Sequence, residues 1–336
     1  MIKFMLLEDS YREKWDDWVA RCEEGSIFHT WAWMALTEWL RNAKKLHIGI
    51  FNGPEMIGIF PLFRARRGVF TLLASPPGEV GYGGPLIRTD YHQEVYQHLD
   101  KLLNLFKSDH IRLRLPRESE AKFLSQQDYK IQYLQTVVVN LNQDSDILWR
   151  NLKKECRTAV RKAWKNNVQI DEAIDKSFID SYFEMSQETF GKAGRLPPRS
   201  KQVFDLVWDM LQPLDRIKVL LAHYEGKLVA GGIFLRYNQK VYYWDGASSR
   251  ESFSVCANNL LHWTMFEWGE SNGLSEYDML GANIPSIARF KKSFGGELRP
   301  YMEAYKDMSW QATLGRRFYL WLAPRIRSIQ FKLQSL

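Results

Sequence analysis

Apolar and polar positions along this chain switch period repeatedly, and the switches mark out its elements. Leu46–Phe51 and Met56–Phe63 are apolar runs flanking Asn52-Gly53-Pro54-Glu55, which predicts a β-hairpin. Phe70–Ala74 reads as a third strand, and the loop Ser75–Pro85, with Gly78, Gly81, Gly83 and Gly84, is the richest turn cluster. A helix over Tyr91–Phe106 and strands over Ile111–Leu115 and Thr136–Leu141 follow. Asp144 or Ser145 then suits the N-cap of a helix reaching Lys165.

The second half repeats this logic. Helices over Ser177–Phe190 and Ser200–Leu211 precede three strands, Ile217–Tyr224, Lys227–Tyr237 and Lys240–Gly246, joined at Glu225-Gly226 and Asn238-Gln239. A helix over Asn258–Trp268 leads to a strand over Leu274–Leu280. Alternating helix and strand signals predict an α/β (α+β) protein rather than a bundle. The halves are parallel in topology and share no sequence repeat. The expected layout is an N-terminal domain over 1–143, a second over 144–310 and a tail over 311–336, each domain a mixed, mainly antiparallel sheet flanked by helices.

Composition changes this picture little. A hydrophobic content of 45% and an aromatic content of 14% supply cores for about two domains in 336 residues. Cys22, Cys156 and Cys256 are scattered, with neither metal-ligand spacing nor a disulfide framework, which points to a reducing cytoplasm. The first residues lack a signal peptide's apolar core, and no apolar run approaches the roughly 20 residues of a membrane span. The net charge of +7 invites an anionic partner. It is concentrated in residues 150–165, where Arg150, Lys153, Lys154, Arg157, Arg161, Lys162 and Lys165 face Glu155 alone, and in the acid-free tail after Gln311. Such runs are ordinarily solvated faces; the chemical alternative is contact with RNA or a lipid surface.

The densest candidate chemistry lies in residues 273–305. A strand ends at Gly281, and Arg289-Phe290-Lys291-Lys292-Ser293-Phe294-Gly295-Gly296 follows before a second strand-like run to Tyr305. Cations beside phenylalanines can grip an anionic or carbonyl-bearing ligand while excluding water, and paired glycines permit close backbone approach or positive φ. Read from residue types alone, the same stretch is equally a solvated helix end and a turn.

Tyr277-Asp278-Met279-Leu280-Gly281, followed by Phe290-Lys291 and Phe294-Gly295-Gly296, resembles the "YD-x-x-G" and "FK-x-x-FG-G" motifs of the Fem-type peptidyltransferases and their relatives in the GNAT acyltransferase superfamily, including the BioF2-like acetyltransferase group. Upstream, Trp149, Leu152, Arg157, Val160-Arg161-Lys162-Ala163, Lys165 and Val168 are similar to the family's "W-x-x-L…R-x-x-V/I-R-K-A-x-K-x-G-V" helix, with Asn167 where glycine is usual. The resemblance spans about residues 148–305. It implies tandem GNAT-like domains and transfer of an acyl or aminoacyl group to an amine of a small-molecule or cell-envelope precursor. Acyl-CoA or aminoacyl-tRNA would be co-substrate, with no permanently bound cofactor and no metal.

Such chemistry needs a neutral amine, a donor to the developing oxyanion and a group that moves protons. The resemblance implies Lys291 as the oxyanion or phosphate contact, with Phe290 beside it. Asp278, and Asp245 at the end of a strand after Tyr242-Tyr243-Trp244, are candidate bases; either could equally be a turn-capping carboxylate. Arg289, Phe294, Gly295, Gly296, Tyr243, Asn258 and Asn259 complete the expected donor and substrate site. The splay that receives the donor carbonyl in GNAT modules is expected between Lys227–Tyr237 and Lys240–Gly246.

One departure bears on the donor. CoA-dependent members carry a glycine-rich turn before the central helix, whose amides hold pyrophosphate. Residues 248–259 contain no glycine, an omission shared with Fem-type enzymes, which use aminoacyl-tRNA. A possible tRNA contact through 150–165 follows. Of the remaining candidates, His262 reads as a packed helix residue, Cys256 as a small buried residue, and His29 as part of an aromatic core cluster with Trp31 and Trp33.

In the tail, Leu314, Phe318, Leu322, Ile326, Ile329 and Leu333 recur at helical spacing, and Pro324 predicts two short amphipathic helices. That face would either dock on the second domain or make peripheral contact at the inner face of the membrane. Two functions from different classes are compatible with the sequence: an acyltransferase, or a catalytically inactive GNAT-like module that binds RNA or an anionic surface.

Overall fold

The computed structural model describes residues 2–78, 81–191 and 196–334, with side chains as far as residue 322. In chain order the elements begin β1 (Ile2–Leu6), α1 (Arg12–Arg21), α2 (Trp31–Arg41), β2 (Lys44–Asn52), β3 (Glu55–Arg67), β4 (Phe70–Ser75), β5 (Leu86–Ile87) and α3 (His92–Gln97). They continue α4 (Leu99–Leu105), β6 (His110–Leu115), α5 (Ala121–Ser125), β7 (Lys130–Asn140), α6 (Ser145–Asn151), α7 (Lys154–Lys165), β8 (Gln169–Glu172), α8 (Ile179–Gly191) and α9 (Lys201–Leu211). The remainder is β9 (Ile217–Tyr224), β10 (Lys227–Tyr237), β11 (Lys240–Ser248), α10 (Arg250–Val255), α11 (Ala257–Ser271), β12 (Glu276–Asp278), α12 (Pro285–Lys292), β13 (Glu297–Asp307) and α13 (Trp310–Gln334).

The chain forms two compact units, Met1–Gln135 with Pro300–Trp321, and Thr136–Arg299 with Leu322–Leu336. The division falls at Gln135/Thr136, inside the continuous strand β7, where the sequence suggested the polar stretch near residue 143. The segment from Pro300 returns to the first unit.

In unit 1 an antiparallel meander β2-β3-β4 carries β1 on its outer edge. The chain crosses through α3 and α4 to β6, parallel to β4, and β13 closes antiparallel on β6. Ile48, Ile50, Phe60, Leu62, Leu73 and Leu113 form its apolar face with Val95, Leu99 and Leu103 of the crossover helices. The aromatic cluster expected around residue 29 is present: His29, Trp31 and Trp33 are buried, and His29 Nδ1 lies 2.7 Å from Ser26 Oγ. Burial pulls the His29 pKa down to about 4, so the ring is neutral near pH 7.

Unit 2 has the same plan. The meander β9-β10-β11 carries β8 on its edge, α11 crosses over, β12 runs parallel to β11, and β7 pairs antiparallel with β12. The expected α/β class and repeated mainly antiparallel sheets are therefore present. Leu260, Leu261, Trp263, Met265 and Phe266 of α11 are all buried, each contributing roughly 1.5–3 kcal/mol of apolar burial, so α11 is the central packing element.

Three expectations are corrected. The basic segment is two helices, because Leu152 and Lys153 leave helical geometry (ψ 139° and 153°) and Arg157 Nη1 donates to the carbonyls of Arg150 and Leu152, satisfying the end of α6. The helix over 91–106 is likewise broken at His98 into α3 and α4. The tail is a single helix running through Pro324. Proline there removes one hydrogen bond, to Leu320, whose residue is exposed, so water can satisfy the freed carbonyl.

Candidate active site

The pairing of β11 with β12 covers only three positions, Lys240↔Glu276, Val241↔Tyr277 and Tyr242↔Asp278. Beyond them β11 continues to Ser248 while β12 turns into the loop toward α12. This splay between two parallel strands lies one strand further along than the sequence placed it; β10 and β11 stay paired from Ala230↔Ser248 to Tyr237↔Lys240.

A bulge shapes its wall. Ile233 pairs with Asp245 and Phe234 with Tyr243, so Trp244 is the extra residue. Because Ile233 and Phe234 face opposite sides of the sheet, so do Asp245 and Tyr243. The sequence candidates are thereby divided between two faces.

On the α11 face the half-buried Tyr243 ring packs edge-on to His262 at 4.6 Å. His262 is buried, its Nδ1 2.6 Å from the Tyr277 hydroxyl, with Phe290 at 5.8 Å and Phe294 at 4.9 Å. Burial, with a smaller push from Lys291, lowers the His262 pKa to about 3, so it is a neutral hydrogen-bonding core residue, as its apolar setting implied. Phe294 is also core, whereas Phe290 is half-buried. A methyl group on Gly246 would collide with the Tyr243 hydroxyl, so this glycine keeps the tyrosine in place.

Lys291 closes the end of the splay. It is 7% exposed, and its Nζ donates to the carbonyls of Met279 (2.6 Å), Leu280 and Gly281 (2.8 Å). An ammonium has three donors, and all are committed to the turn after β12. That turn needs the support, since Leu280 has φ 48° and Gly281 φ 58°. Burial pulls the Lys291 pKa down to about 8, against the opposing field of Asp278. The Nζ lies 5.9 Å from the Tyr243 ring centre, so the positive charge is at the site although its hydrogens hold the backbone.

The two carboxylates lie on the other face and are engaged. Asp278 Oδ1 accepts from Thr136 Oγ1 (2.6 Å) and from the Leu280 amide (2.9 Å), fixing the same strained turn. Asp245 accepts from the Tyr182 hydroxyl (2.6 Å) and pairs with Arg199, whose guanidinium lies 4.2 Å from the Trp244 ring centre. Tyr182, Arg199 and Thr136 were not singled out in the sequence: each meets its partner at long range, so no local spacing announces them.

The glycine pair serves packing within unit 2. Gly295 has φ 80°, and a Cβ there would lie 2.6 Å from the Asn151 carbonyl oxygen; one on Gly296 would lie 2.6 Å from Val137 Cγ1. The Lys153 amide donates to Ser293 O at 2.9 Å. The two motifs read separately in the sequence, around 149–168 and 277–296, are therefore one construction. Arg289 is exposed, Asn258 half-buried, and Asn259 Nδ2 lies 3.6 Å from Cys156 Sγ. Cys256 is half-buried rather than buried, with φ 60° at the junction of α10 and α11.

Residues 150–292 match the family model of the acetyltransferase (GNAT) domain. The second unit is a GNAT domain. Over the whole chain the fold is that of Fem-like and tandem GNAT proteins. The crystal structure of FemX superposes with a TM-score of 0.73 at 16% identity, covering 89% of this chain and 96% of that one. A tandem GNAT protein from the clavulanic acid biosynthesis pathway gives 0.61 at 11% identity, covering 92% and 99%. L-PGS from Bacillus licheniformis gives 0.58 at 13% identity, covering 95% and 97%. No curated protein matches the sequence. Among the described residues no helix is long and apolar enough to cross a membrane.

Proposed function

We propose that unit 2 transfers an aminoacyl group from an activated ester to the amine of an acceptor. The observation that carries this reading is the β11–β12 splay, whose pairing stops after Tyr242↔Asp278, in a domain of the acetyltransferase family. The amine attacks the ester carbonyl, forming the C–N bond and an oxyanion; collapse breaks the C–O bond and returns a proton to the leaving alcohol. Lys291 supplies positive charge to the oxyanion while holding the turn, Tyr243 and Phe290 line the entrance, and Asp278 keeps the turn in register. Asp245 and Asp278, each accepting hydrogen bonds, position rather than deprotonate.

Two features support an RNA-borne donor over acyl-CoA. Helix α10, with Ser249 as its N-cap, stands between β11 and α11 where a glycine-rich pyrophosphate turn would lie. On α6, α7 and the junction between them, Arg150, Lys153, Lys154, Arg161, Lys162 and Lys165 are exposed. There Trp164, 46% exposed, stacks on Trp149 at 5.4 Å, and Arg161 lies 5.3 Å from the Trp149 ring centre. Cations interleaved with stacked aromatics suit a nucleic-acid strand. Purified protein offered mixed aminoacyl-tRNA or a panel of acyl-CoA esters, with small amines and amino sugars as acceptors, tests this. Amide formation from tRNA that weakens as salt rises is expected. Transfer from acyl-CoA alone moves the donor to CoA, and transfer from neither source refutes the enzyme.

The tail supports a peripheral lipid contact. In the first turns of α13, Ala312 is buried, Gly315 lies against Phe70 and Arg316 pairs with Asp307, so these turns belong to unit 1, whereas the helix from Leu322 on groups with unit 2. Leu314, Phe318, Tyr319, Leu320 and Trp321 are exposed; the side chains of Ile326, Ile329 and Leu333 lie outside the described residues. Aromatics beside unopposed basic residues suit an anionic interface. The full chain should co-sediment with vesicles containing phosphatidylglycerol, and a Phe318→Ser/Trp321→Ser variant should not; equal sedimentation of both removes the tail from the contact.

A further inference from the structure

An oxyanion formed at the β11–β12 splay needs more than a nearby positive charge. Charge developing on a carbonyl oxygen is stabilised most by hydrogen-bond donors already aimed at it. Lys291 brings the charge, but its three donors are committed to Met279 O, Leu280 O and Gly281 O. The Tyr277 hydroxyl is bonded to His262 Nδ1 at 2.6 Å. Asp245 and Asp278 lie on the other face. A donor on the α11 face has to come from elsewhere.

The Tyr243 hydroxyl meets that need. Among the described residues it has no hydrogen-bond partner, and its side chain is half-buried. The bulge at Trp244 puts Tyr243 and Gly246 on one face, opposite Phe234 and Gly232. The phenol lies along the strand: a Cβ on Gly246 would strike the hydroxyl oxygen and stand 2.5 Å from the carbon that bears it. Gly246 lies beyond Tyr242, the last position of β11 that pairs with β12. The hydroxyl is therefore carried over the unpaired stretch of β11, where the splay opens. Lys291 Nζ is 5.9 Å from the same ring's centre. Desolvation, with the field of Asp245, pushes the phenol's pKa above its ordinary 10, so the group keeps its proton at neutral pH.

We propose that Tyr243 is a catalytic residue whose hydroxyl donates the hydrogen bond to the oxyanion, beside the charge of Lys291. The role rests on transfer by unit 2. Attack by the amine forms the C–N bond and moves the carbonyl π electrons to oxygen, where the phenol O–H is waiting. The phenol does not give up its proton. Collapse re-forms the C=O bond and expels the leaving group, which takes the proton lost by the attacking nitrogen. The hydrogen bond is stronger to the tetrahedral oxyanion than to the ground-state carbonyl, so it lowers the barrier without tightening substrate binding.

Tyr243→Phe, assayed in the full chain with whichever donor the wild type uses, tests this. Turnover should fall about 100-fold while KM for both substrates stays within about threefold. The melting point should move by no more than about 2 °C, because a hydroxyl without a partner strands nothing when it is removed. The fall of transfer as Lys291 loses its proton above pH 8 should persist, since the phenol is not the group that titrates. Gly246→Ala should slow turnover by displacing the phenol, and adding it to Tyr243→Phe should cost less than about threefold more. Wild-type transfer with Tyr243→Phe turning over within threefold of it overturns the donor and leaves the transferase standing. A loss confined to KM does the same, making Tyr243 a lining residue only. Losses that multiply in the double variant also overturn it, since glycine and hydroxyl would then act apart. A wild type that transfers from neither donor removes the transferase, and the donor role with it.

Discussion

Lys291→Met is expected to lower the unfolding free energy by about 2–4 kcal/mol and to reduce transfer at least a hundredfold. In the sequence, the resemblance implies Lys291 only as an oxyanion or phosphate contact. In the structure its ammonium is the shared donor for Met279, Leu280 and Gly281, on a turn with two consecutive positive φ values. Methionine fills the aliphatic channel but leaves three carbonyls unsatisfied, at roughly 1.5–3 kcal/mol for each bond to a charged group, partly offset because no ammonium is then desolvated. Chemical denaturation at pH 7 reads the first effect and initial transfer rates the second.

The pH dependence gives an independent check. Lys291 titrates at about 8 when folded against an ordinary 10.5. Between these values the unfolded chain holds the proton and the native protein does not, so this residue's contribution to stability rises with pH across that window. Transfer should fall over the same range as the ammonium is lost. Both trends should disappear in Lys291→Met. A variant within twofold of wild-type activity, with its melting point unmoved, removes Lys291 from turn and site alike.

The strands of the second-unit meander were legible because alternation and the Glu225-Gly226 and Asn238-Gln239 turns are local signals. The tandem plan was legible from element order for the same reason. The site was less so. Tyr243 and Asp245 look like neighbours on one strand face, and only the bulge opposite Ile233 and Phe234 sends them to opposite sides. The break after Leu152 depends on Arg157 reaching back to two carbonyls, which reads in sequence as one more helical cation. Lys291 and the glycine pair stand out in the sequence by residue type, yet their partners lie on the β12 turn and the α6–α7 junction, where residue type gives no hint of which carbonyl must be met.

Gly295→Val separates the two reasons for which a glycine can be required. Gly295 has φ 80° and Gly281 has φ 58°, so any side chain is strained at either, by about 1–3 kcal/mol. At Gly281 a Cβ would meet nothing within 4 Å, whereas at Gly295 it would lie 2.6 Å from Asn151 O and 2.8 Å from the carbonyl carbon. That backbone has little freedom to retreat, since Leu152 is buried and the Lys153 amide is bonded to Ser293 O. Gly281→Ala should therefore cost about 1 kcal/mol, the conformational term alone. Gly295→Val should cost about 3 kcal/mol or more, adding the collision and the poor tolerance of a β-branched residue for positive φ. Because the collision pushes α7 away from α12, hydrogen exchange at the amides of Lys153–Arg157 should quicken in Gly295→Val and stay at wild-type rates in Gly281→Ala. Equal costs at the two positions would mean that Gly295 is an ordinary turn glycine and that the junction of the two motifs tolerates displacement.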